Sequence, residues 1–483
     1  MTVEPSSLPR RERTSVARDP IHPPGNLVGL RRAELEDIRT LVPWLDHQDG
    51  VLAVEGAPFH RLWDAEDPWL VYLPGRARDN ARSLRSAFGR HFEVSLHFPL
   101  KSCYVPAIAS ALREDGHGVE VMSGLEWNLA RQLGFDPAQV VANSPARTAR
   151  HRRELVSEGA GLIGVDSVEE LDQVEHEARS QGRVARIAVR ANTLDEPGAF
   201  FSAGSKLGAD LDGAAELVEK ALASRWCSVG ALHAHQLKHC TDAEMFHRMV
   251  RGLAEFAAET MPPDRPVQVL NLGGGLESRF LLERAGTSAQ VFADAARDAM
   301  DILPTLPSVV LEPGRYVVGD AAIGFSRVIG RKVNSGQTWL ISDLSSNILI
   351  PLPDLAYHPV PLRLPPDVAW EQAHVADGTC APSHLCRSAD LPVSVVQDGI
   401  AVLNCGAYTS VYAELWAFPL PHIGVYENGR LREIFGPKQE SDMFNALYPI
   451  GESTRNAHPE DRAHGGPVQV AASADNRPAD PDN

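Results

Sequence analysis

Between about residues 92 and 311, the sequence alternates short apolar, β-branched runs with longer amphipathic stretches. Helical periods are clear at 167–181 and 243–259. Strands that alternate with helices in this way predict a (β/α)8 barrel of parallel strands, with its chemistry at the C-terminal strand ends. The eight runs that we predict as barrel strands are 92–98, 118–122, 138–142, 161–165, 183–190, 226–234, 266–271 and 307–311.

From about residue 322 the pattern changes to short strand-like runs separated by proline and glycine turns, without helical periods. We therefore predict an all-β domain over 322–451, after a barrel domain over 71–321. Residues 26–70 are expected to contribute to the β-domain or to pack beside it. The runs that we predict as strands there include RVIGRKV (327–333), TWLISDL (338–344), PVSVVQDG (392–399) and IAVLNCGAY (400–408).

Composition narrows the class of protein. The 46 basic and 63 acidic residues give a net charge of -17, which argues against a nucleic-acid partner and favours a soluble protein. The six cysteines form no CxxC pair, so we expect reduced thiols and no metal. Residues 1–25 and 452–483 are predicted to be disordered tails. With no apolar core after the basic start and no long uncharged apolar run, we expect a cytoplasmic protein without a signal peptide or membrane span.

Candidate chemistry stands at the ends of three predicted barrel strands. Lys101 follows the first strand, where a lysine either extends to solvent or occupies a pocket for a chemical purpose. Gly273, Gly274 and Gly275 follow the seventh strand, and a glycine loop at that place either makes a tight turn or binds a phosphate. The segment LEPGRY follows the eighth strand. A strand-end lysine, a phosphate loop and a buried carboxylate are together what pyridoxal phosphate requires.

The chain resembles the fold-type III pyridoxal-phosphate-dependent decarboxylases, the group that contains ornithine, arginine and diaminopimelate decarboxylases. The resemblance covers roughly residues 70 to 420 and implies an alanine-racemase-like barrel followed by a β-barrel or sandwich domain. Short segments match the family in its own order: HFPLKS, MSGLEWNLARQLGFDP, GLIGVDSVEELDQV, SKLGAD, ALHAH, LNLGGG, LEPGRY, DGTCAPS and NCGAYT.

The resemblance also implies a role for particular residues. Lys101 would form the Schiff base with the cofactor, and Glu312 would pair with its pyridine nitrogen. Cys380 of a second subunit would return a proton to the decarboxylated carbon, so the resemblance implies a homodimer with shared active sites. The remaining cofactor-binding residues would be His235, which stacks on the ring, and Gly273, Gly274, Gly275, Arg315 and Tyr408 at the phosphate.

Departures from the family pattern concern the phosphate site and the substrate. Leu237 and Lys238 stand where the family has glycine and a phosphate-binding serine, and Lys238 either reaches the phosphate or is a solvated loop lysine. Ala381 stands where diaminopimelate decarboxylases have a glutamate for the distal amine. Ile350 is the position nearest to their arginine for the distal carboxylate. We therefore expect an amino acid or amino-acid conjugate with a neutral or conjugated distal group.

Three alternatives remain open at this point. His233, His235, His239 and Cys240 resemble a metal-ligand set in a barrel hydrolase, although the glycines and EPGR at later strand ends oppose that function. A non-catalytic relative that keeps the fold as a binding protein is the second alternative. A racemase or epimerase of the same fold is the third, but alanine racemases place an arginine at the pyridine nitrogen. Glu312 there favours decarboxylation.

Overall fold

The computed structural model describes residues 28–195, 204–350, 357–382 and 384–448. The predicted disordered tails, 1–25 and 452–483, lie outside these ranges. The chain divides into two compact units, Met1–Gly436 and Pro437–Asn483. Within the described ranges, no helix combines the length and apolar character needed to cross a membrane.

The strands of the described residues are, in chain order, β1 (Leu45–Gln48), β2 (Val51–Val54), β3 (Ala57–Pro58), β4 (Trp69–Tyr72), β5 (Val94–Pro99), β6 (Gly118–Val121), β7 (Val140–Ala142), β8 (Leu162–Val165), β9 (Ala185–Arg190), β10 (Cys227–His233), β11 (Val269–Asn271), β12 (Ser308–Leu311), β13 (Ala322–Ser326), β14 (Val328–Asn334), β15 (Gln337–Ser342), β16 (His358–Pro361), β17 (Trp370–Asp377), β18 (Cys386–Pro392), β19 (Ile400–Leu403), β20 (His422–Glu427) and β21 (Arg430–Phe435).

The α-helices of the same residues are α1 (Arg32–Glu36), α2 (Ile38–Leu41), α3 (Pro74–Phe88), α4 (Pro106–Glu114), α5 (Gly124–Gln132), α6 (Ala149–Glu158), α7 (Val168–Ser180), α8 (Leu211–Ala223), α9 (Ala243–Thr260), α10 (Arg279–Arg284), α11 (Ala289–Ala299), α12 (Arg315–Val318), α13 (Val395–Asp398) and α14 (Pro437–Leu447). Short 3-10 helices occupy Phe59–Arg61, Leu100–Ser102 and Pro137–Gln139.

Strands β5 to β12 form a closed barrel in which every neighbouring pair is parallel and β12 returns to pair with β5. Seven of the eight predicted apolar runs contain one of these strands, and the run 92–98 covers β5 except for Pro99, so the predicted (β/α)8 barrel is confirmed. The predicted helices at 167–181 and 243–259 are α7 and α9. Ser167 begins α7 because its side-chain oxygen accepts a hydrogen bond from Glu170 N, a typical N-cap.

The barrel interior is a packed apolar core below the strand ends. Val141, Leu162, Ala188 and Ala231, which lie on four consecutive strands, are buried together there. These residues pack below the C-terminal strand ends, so the polar side chains at those ends lie above an apolar layer.

Three further sheets accompany the barrel. Strands β1, β2 and β3 form an antiparallel sheet, and β14, β15, β17 and β18 form a four-stranded sheet. The third sheet has the order β16-β19-β13-β4-β20-β21, with β4 antiparallel to β13 and parallel to β20. Residues before the barrel therefore contribute a central strand to a sheet that is otherwise built from residues after it.

One predicted strand is wrong. The run PVSVVQDG (392–399) contains the last residue of β18 and the helical turn α13, not a strand of its own. Pro392 ends β18, and Gly399 ends the turn with a φ of 85°, a left-handed conformation that favours glycine. The adjacent residues Val395 and Val396 resemble a strand in the sequence, and the four residues of α13 are too few to show a helical period. Helices α13 and α14 also contradict the expectation that 322–451 lacks helices.

Candidate active site

A cavity of about 360 Å³ opens at the C-terminal ends of the barrel strands. Much of its wall is built from residues at or after the ends of the barrel strands, because parallel strands bring those ends to one face. Tyr408 and Tyr412 come instead from the segment after β19. The polar and charged residues in the wall include Lys101, Glu120, Asn143, Ser144, Arg190, His235, Lys238, His239, Glu312, Arg315, Tyr408 and Tyr412.

Lys101 lies in a 3-10 turn directly after β5, and its ammonium is paired with a buried carboxylate on the neighbouring strand. Lys101 Nζ is 2.6 Å from Glu120 Oε2, and the Glu120 side chain is 0% exposed. Burial raises the pKa of Glu120 to about 7, against the opposing effect of Lys101, while Glu312 raises it further. Burial alone would lower the pKa of Lys101, but Glu120, Tyr408 and Glu312 outweigh burial and raise it. The lysine therefore faces a proton acceptor within hydrogen-bonding distance.

Glu312 follows β12, and its two carboxylate oxygens differ in their hydrogen bonds. Oε1 accepts hydrogen bonds from Asn143 Nδ2 at 2.7 Å and from Asn271 Nδ2 at 2.6 Å. Oε2 is buried and has no hydrogen-bond partner among the described residues. Burial alone would raise the pKa of Glu312, but His233, His235 and Lys101 outweigh it and hold the pKa well below its usual value. One oxygen of an ionised carboxylate is thus available to a donor in the cavity.

Two histidines stand near that free oxygen. His235 Nδ1 is 3.8 Å and His233 Nε2 is 4.0 Å from Glu312 Oε2. Burial lowers the pKa of His233 to about 3 and also lowers the pKa of His235, so both rings are neutral near pH 7. The predicted ring-stacking residue, His235, therefore offers an uncharged aromatic face beside the carboxylate.

His233, His235 and Glu312 also bring three potential metal-ligand atoms within 4.8 Å of one another. His239 and Cys240, which the sequence placed in the same set, do not join them. His239 Nδ1 contacts Glu277 Oε2 at 2.8 Å, and Cys240 Sγ donates to the Asp242 carbonyl at 3.2 Å. Because Glu312 Oε1 already accepts two amide N–H groups, this cluster suits a hydrogen-bond donor better than a cation.

In the glycine loop after β11, the backbone lies too close to the neighbouring segment to leave room for side chains. Gly273 has a φ of 63° and Gly275 a φ of 96°, both in the left-handed region. A Cβ at Gly273 would lie 2.6 Å from His235 Cβ, and a Cβ at Gly275 would lie 2.3 Å from the Leu237 carbonyl oxygen. The loop therefore requires glycine, and its backbone stands directly against the segment that carries His235.

Arg315 supplies the cation beside this loop. It is 7% exposed, and its Nη1 atom is buried without a hydrogen-bond partner in the part of the chain that the structure describes. Its Nε atom lies 3.6 Å from Glu277 Oε1, and its guanidinium carbon lies 5.3 Å from the Tyr408 ring centroid. A buried guanidinium with an unused donor in a cavity wall is suited to an oxyanion such as a phosphate.

These residues fit pyridoxal phosphate on the structure alone. The buried Glu312 Oε2 can accept from a protonated ring nitrogen, Arg315 Nη1 can donate to a phosphate, and Lys101 supplies the amine. The structure brings together Lys101, His235, Glu312, Arg315, Tyr408 and the loop ending at Gly275. Lys238 also reaches the cavity wall.

Cys380 stands apart from this group. It follows β17, is exposed, and does not line the cavity of its own chain. Ala381 beside it is half-buried. The cavity wall of one chain therefore contains Lys101, His235, Gly275, Glu312, Arg315 and Tyr408, whereas Gly273, Gly274 and Cys380 do not line it.

Sequence reasoning missed Glu120, Asn143, Arg190 and Asn271. Asn143, Arg190 and Asn271 end or directly follow a barrel strand, and Glu120 is the penultimate residue of β6. A polar residue at or near the end of an apolar run is the signal that would have found them. Glu120 is the clearest example, because it interrupts the otherwise apolar run GVEV of β6.

Comparisons with known proteins place the chain among pyridoxal-dependent decarboxylases. The family model described as "Pyridoxal-dependent decarboxylase, pyridoxal binding domain" matches residues 75–319. Diaminopimelate decarboxylase of Aquifex aeolicus is 26% identical over 385 residues, which cover 77% of this chain and 90% of the relative. L-glutamyl-[BtrI acyl-carrier protein] decarboxylase of Niallia circulans is 24% identical over 376 residues, which cover 71% of this chain and 84% of the relative.

Solved structures share the fold. The crystal structure of diaminopimelate decarboxylase from Methanocaldococcus jannaschii has a TM-score of 0.78 at 22% identity, covering 86% of this chain and 99% of that one. Arginine decarboxylase of the Paramecium bursaria Chlorella virus has a TM-score of 0.64 at 21% identity, covering 74% of this chain and 95% of that one.

The barrel and the lysine–carboxylate cavity define a pyridoxal-phosphate enzyme of the carboxy-lyase class. The chain belongs to the family of pyridoxal-dependent decarboxylases, whose pyridoxal-binding domain model spans half of its length. Its cofactor is pyridoxal phosphate, and its class of reaction is the decarboxylation of an amino acid.

Proposed function

We propose that this chain decarboxylates an amino acid whose distal end is neutral or conjugated to a larger group. The proposed roles are covalent attachment of the cofactor by Lys101 and return of a proton by Cys380 of a second copy. The observation that carries this proposal is the placement of Lys101 and of the unpartnered Glu312 Oε2 in the wall of one cavity.

When bound, pyridoxal phosphate supplies an electron sink for the electron pair that remains after the substrate carboxylate leaves as CO2. Glu312 is proposed to keep the ring nitrogen protonated through Oε2, while Asn143 and Asn271 hold Oε1. Glu120 is proposed to take up a proton from Lys101 Nζ, because a neutral amine is required for attack. Arg315 and the glycine loop are proposed to hold the phosphate.

Cys380 is proposed to act in the cavity of a second copy, in a homodimer. Its exposed thiol does not line the cavity of its own chain, so a second copy is the simplest way to bring it to a substrate. All six cysteines are free thiols in the structure, which supports the further proposal of a cytoplasmic enzyme.

The chemistry of the cavity supports a substrate without a charged distal amine. Glu120 and Glu312 are the carboxylates in the described wall. Lys101 is paired with Glu120, and Glu312 Oε2 is assigned to the ring nitrogen, so neither carboxylate is proposed to receive a distal amine. Ala381 offers no charge beside Cys380. Met122, Leu207, Leu237 and Leu276 make part of the wall apolar. A relative is named for action on a glutamyl group attached to a carrier protein, which supports a conjugated substrate.

Release of CO2 from a panel of amino acids tests the proposal. The panel contains lysine, ornithine, diaminopimelate, neutral amino acids, and amides or thioesters that leave the α-amino and α-carboxyl groups free. We expect turnover of a neutral or conjugated member, and none by the Lys101→Ala variant. Turnover of a free diamino acid at about 10⁴ M⁻¹s⁻¹ or more would contradict the proposed substrate class.

A further inference from the structure

Asn271 makes two hydrogen bonds that point to opposite ends of the cofactor site. It ends β11 and is 0% exposed. Its Nδ2 atom donates to Glu312 Oε1 at 2.6 Å, and its Oδ1 atom accepts from Gly273 N at 2.9 Å. One buried side chain therefore contacts both the carboxylate for the ring nitrogen and the first glycine of the phosphate loop.

The orientation of the Asn271 amide is determined by these partners. An asparagine amide has donors on one side and an acceptor on the other, so turning it over would place Oδ1 against a carboxylate oxygen. The same turn would place the NH2 group against the Gly273 N–H. Both contacts would be repulsive, and in a buried site the loss of either hydrogen bond is costly. Asn271 thus holds Gly273 and Glu312 in one relative position.

Asn143 provides a natural comparison. It follows β7, is 7% exposed, and donates from Nδ2 to the same Glu312 Oε1 atom at 2.7 Å. Its Oδ1 atom has no hydrogen-bond partner among the described residues, so its side chain makes no bond to the glycine loop. Both asparagines donate a hydrogen bond to Glu312 Oε1, but of the two only Asn271 also bonds to the glycine loop.

We propose that Asn271 is a positioning residue that couples the phosphate end of the cofactor site to its ring-nitrogen end. This inference rests on the proposed roles of Glu312 and the glycine loop. Asn271 fixes the loop relative to Glu312, so a ligand that occupies both ends gains more from Asn271 than a ligand that occupies only the ring end. Asn143 supports only the ring end.

Equilibrium binding to the cofactor-free protein tests this coupling. Pyridoxal phosphate and pyridoxal, which lacks the phosphate, are titrated into wild type, Asn271→Leu and Asn143→Leu, and Kd is measured by absorbance or fluorescence. We expect Asn143→Leu to weaken both ligands by the same factor, about tenfold. Asn271→Leu is expected to weaken pyridoxal similarly and pyridoxal phosphate about tenfold more. Asn271→Asp keeps an oxygen acceptor for Gly273 N but places a second oxygen against Glu312 Oε1, so it is expected to weaken both ligands while retaining the wild-type ratio of the two Kd values.

The possible results distinguish a failure of this inference from a failure of the proposed function on which it rests. Equal losses for the two ligands in Asn271→Leu overturn the coupling, even where wild type binds pyridoxal phosphate tightly. Failure of wild type to bind pyridoxal phosphate overturns the proposed function instead. If Asn271→Leu does not fold, as judged by its thermal transition, Asn271→Ala removes both polar groups without added bulk and gives the same readout.

Discussion

Lys101 Nζ and Glu120 Oε2 form a 2.6 Å ion pair that joins the ends of two neighbouring barrel strands, β5 and β6. The carboxylate is fully buried and the lysine side chain is 27% exposed, so the pair lies at the boundary between the barrel core and the cavity. A proton can pass directly between these two atoms without solvent. This relationship was not foreseen from the sequence, and it leads to the first prediction.

Glu120→Gln should slow the loading of pyridoxal phosphate onto the cofactor-free protein by about 10²-fold, because the amide cannot accept a proton from Lys101. The pKa of Glu120 is raised to about 7 by burial, so wild-type loading should rise as pH passes through that value and Glu120 becomes ionised. The rate of absorbance change on mixing, measured from about pH 5 to 9 (roughly two units on either side of that pKa), reports both effects. Glu120→Asp, which retains a carboxylate, is the matched control. An unchanged rate and pH profile in the glutamine variant would contradict the role.

Mixing of inactive subunits should restore activity if the active site is shared. Lys101→Ala lacks the amine and Cys380→Ala lacks the proton donor, but a heterodimer of the two contains one intact site. Random exchange places half of the dimers in this state, so we expect about a quarter of the wild-type activity. CO2 release after subunit exchange, verified by mass spectrometry of tagged chains, measures it. Absence of recovery would show that Cys380 does not act across a dimer interface.

Ala381→Glu should shift the substrate preference toward diaminopimelate and lysine. The new carboxylate would stand where diaminopimelate decarboxylases carry a glutamate, and it would pair with a distal ammonium that otherwise loses its hydration. We expect kcat/KM for these substrates to rise by about tenfold or more, mainly through a lower KM. Ala381→Gln, of similar size but uncharged, controls for shape. An equal gain in kcat/KM for both variants would show that the charge of the new side chain is not the cause.

His151→Phe should change the pH dependence of folding. His151 packs edge-on to Trp127 with a centroid distance of 6.5 Å. Neither ring nitrogen has a hydrogen-bond partner among the described residues. Burial, assisted by Arg147, lowers its pKa from 6.5 to about 4. Between these values the unfolded chain binds a proton that the folded chain does not, so stability present above pH 6.5 is lost as the pH falls toward 4.

The phenylalanine variant cannot bind that proton. Its free energy of unfolding should therefore rise relative to wild type as the pH is lowered through this window, as measured by denaturant titration at several pH values. His176→Gln on the exposed side of α7 serves as the control and should follow wild type. A wild-type-to-variant difference that does not change with pH would exclude His151 as an acid-sensitive group.

The barrel was predictable because its strands lie in apolar runs and most of them are followed by an amphipathic helix, so local pattern and global fold agree. Lys101, Glu312 and Arg315 were predictable because matched motifs carry them. Glu120, Asn143 and Asn271 were not, since their importance arises from contacts between the ends of different strands, which sequence spacing does not reveal. The short turn α13 was missed for a different reason, because Val395 and Val396 favour a strand locally and tertiary context decides otherwise.

The position of β4 has a consequence for synthesis of the chain. Trp69–Tyr72 leaves the ribosome before any barrel strand, yet its two sheet neighbours are β13, after the barrel, and β20, at residues 422–427. The barrel can close while β4 still has both edges unpaired, and those edges are a template for association with other chains. A nascent chain stopped anywhere before residue 422 therefore exposes at least one of them. Pairing of β20 with β4 therefore removes the last unpaired edge of β4 as a template for association with other chains.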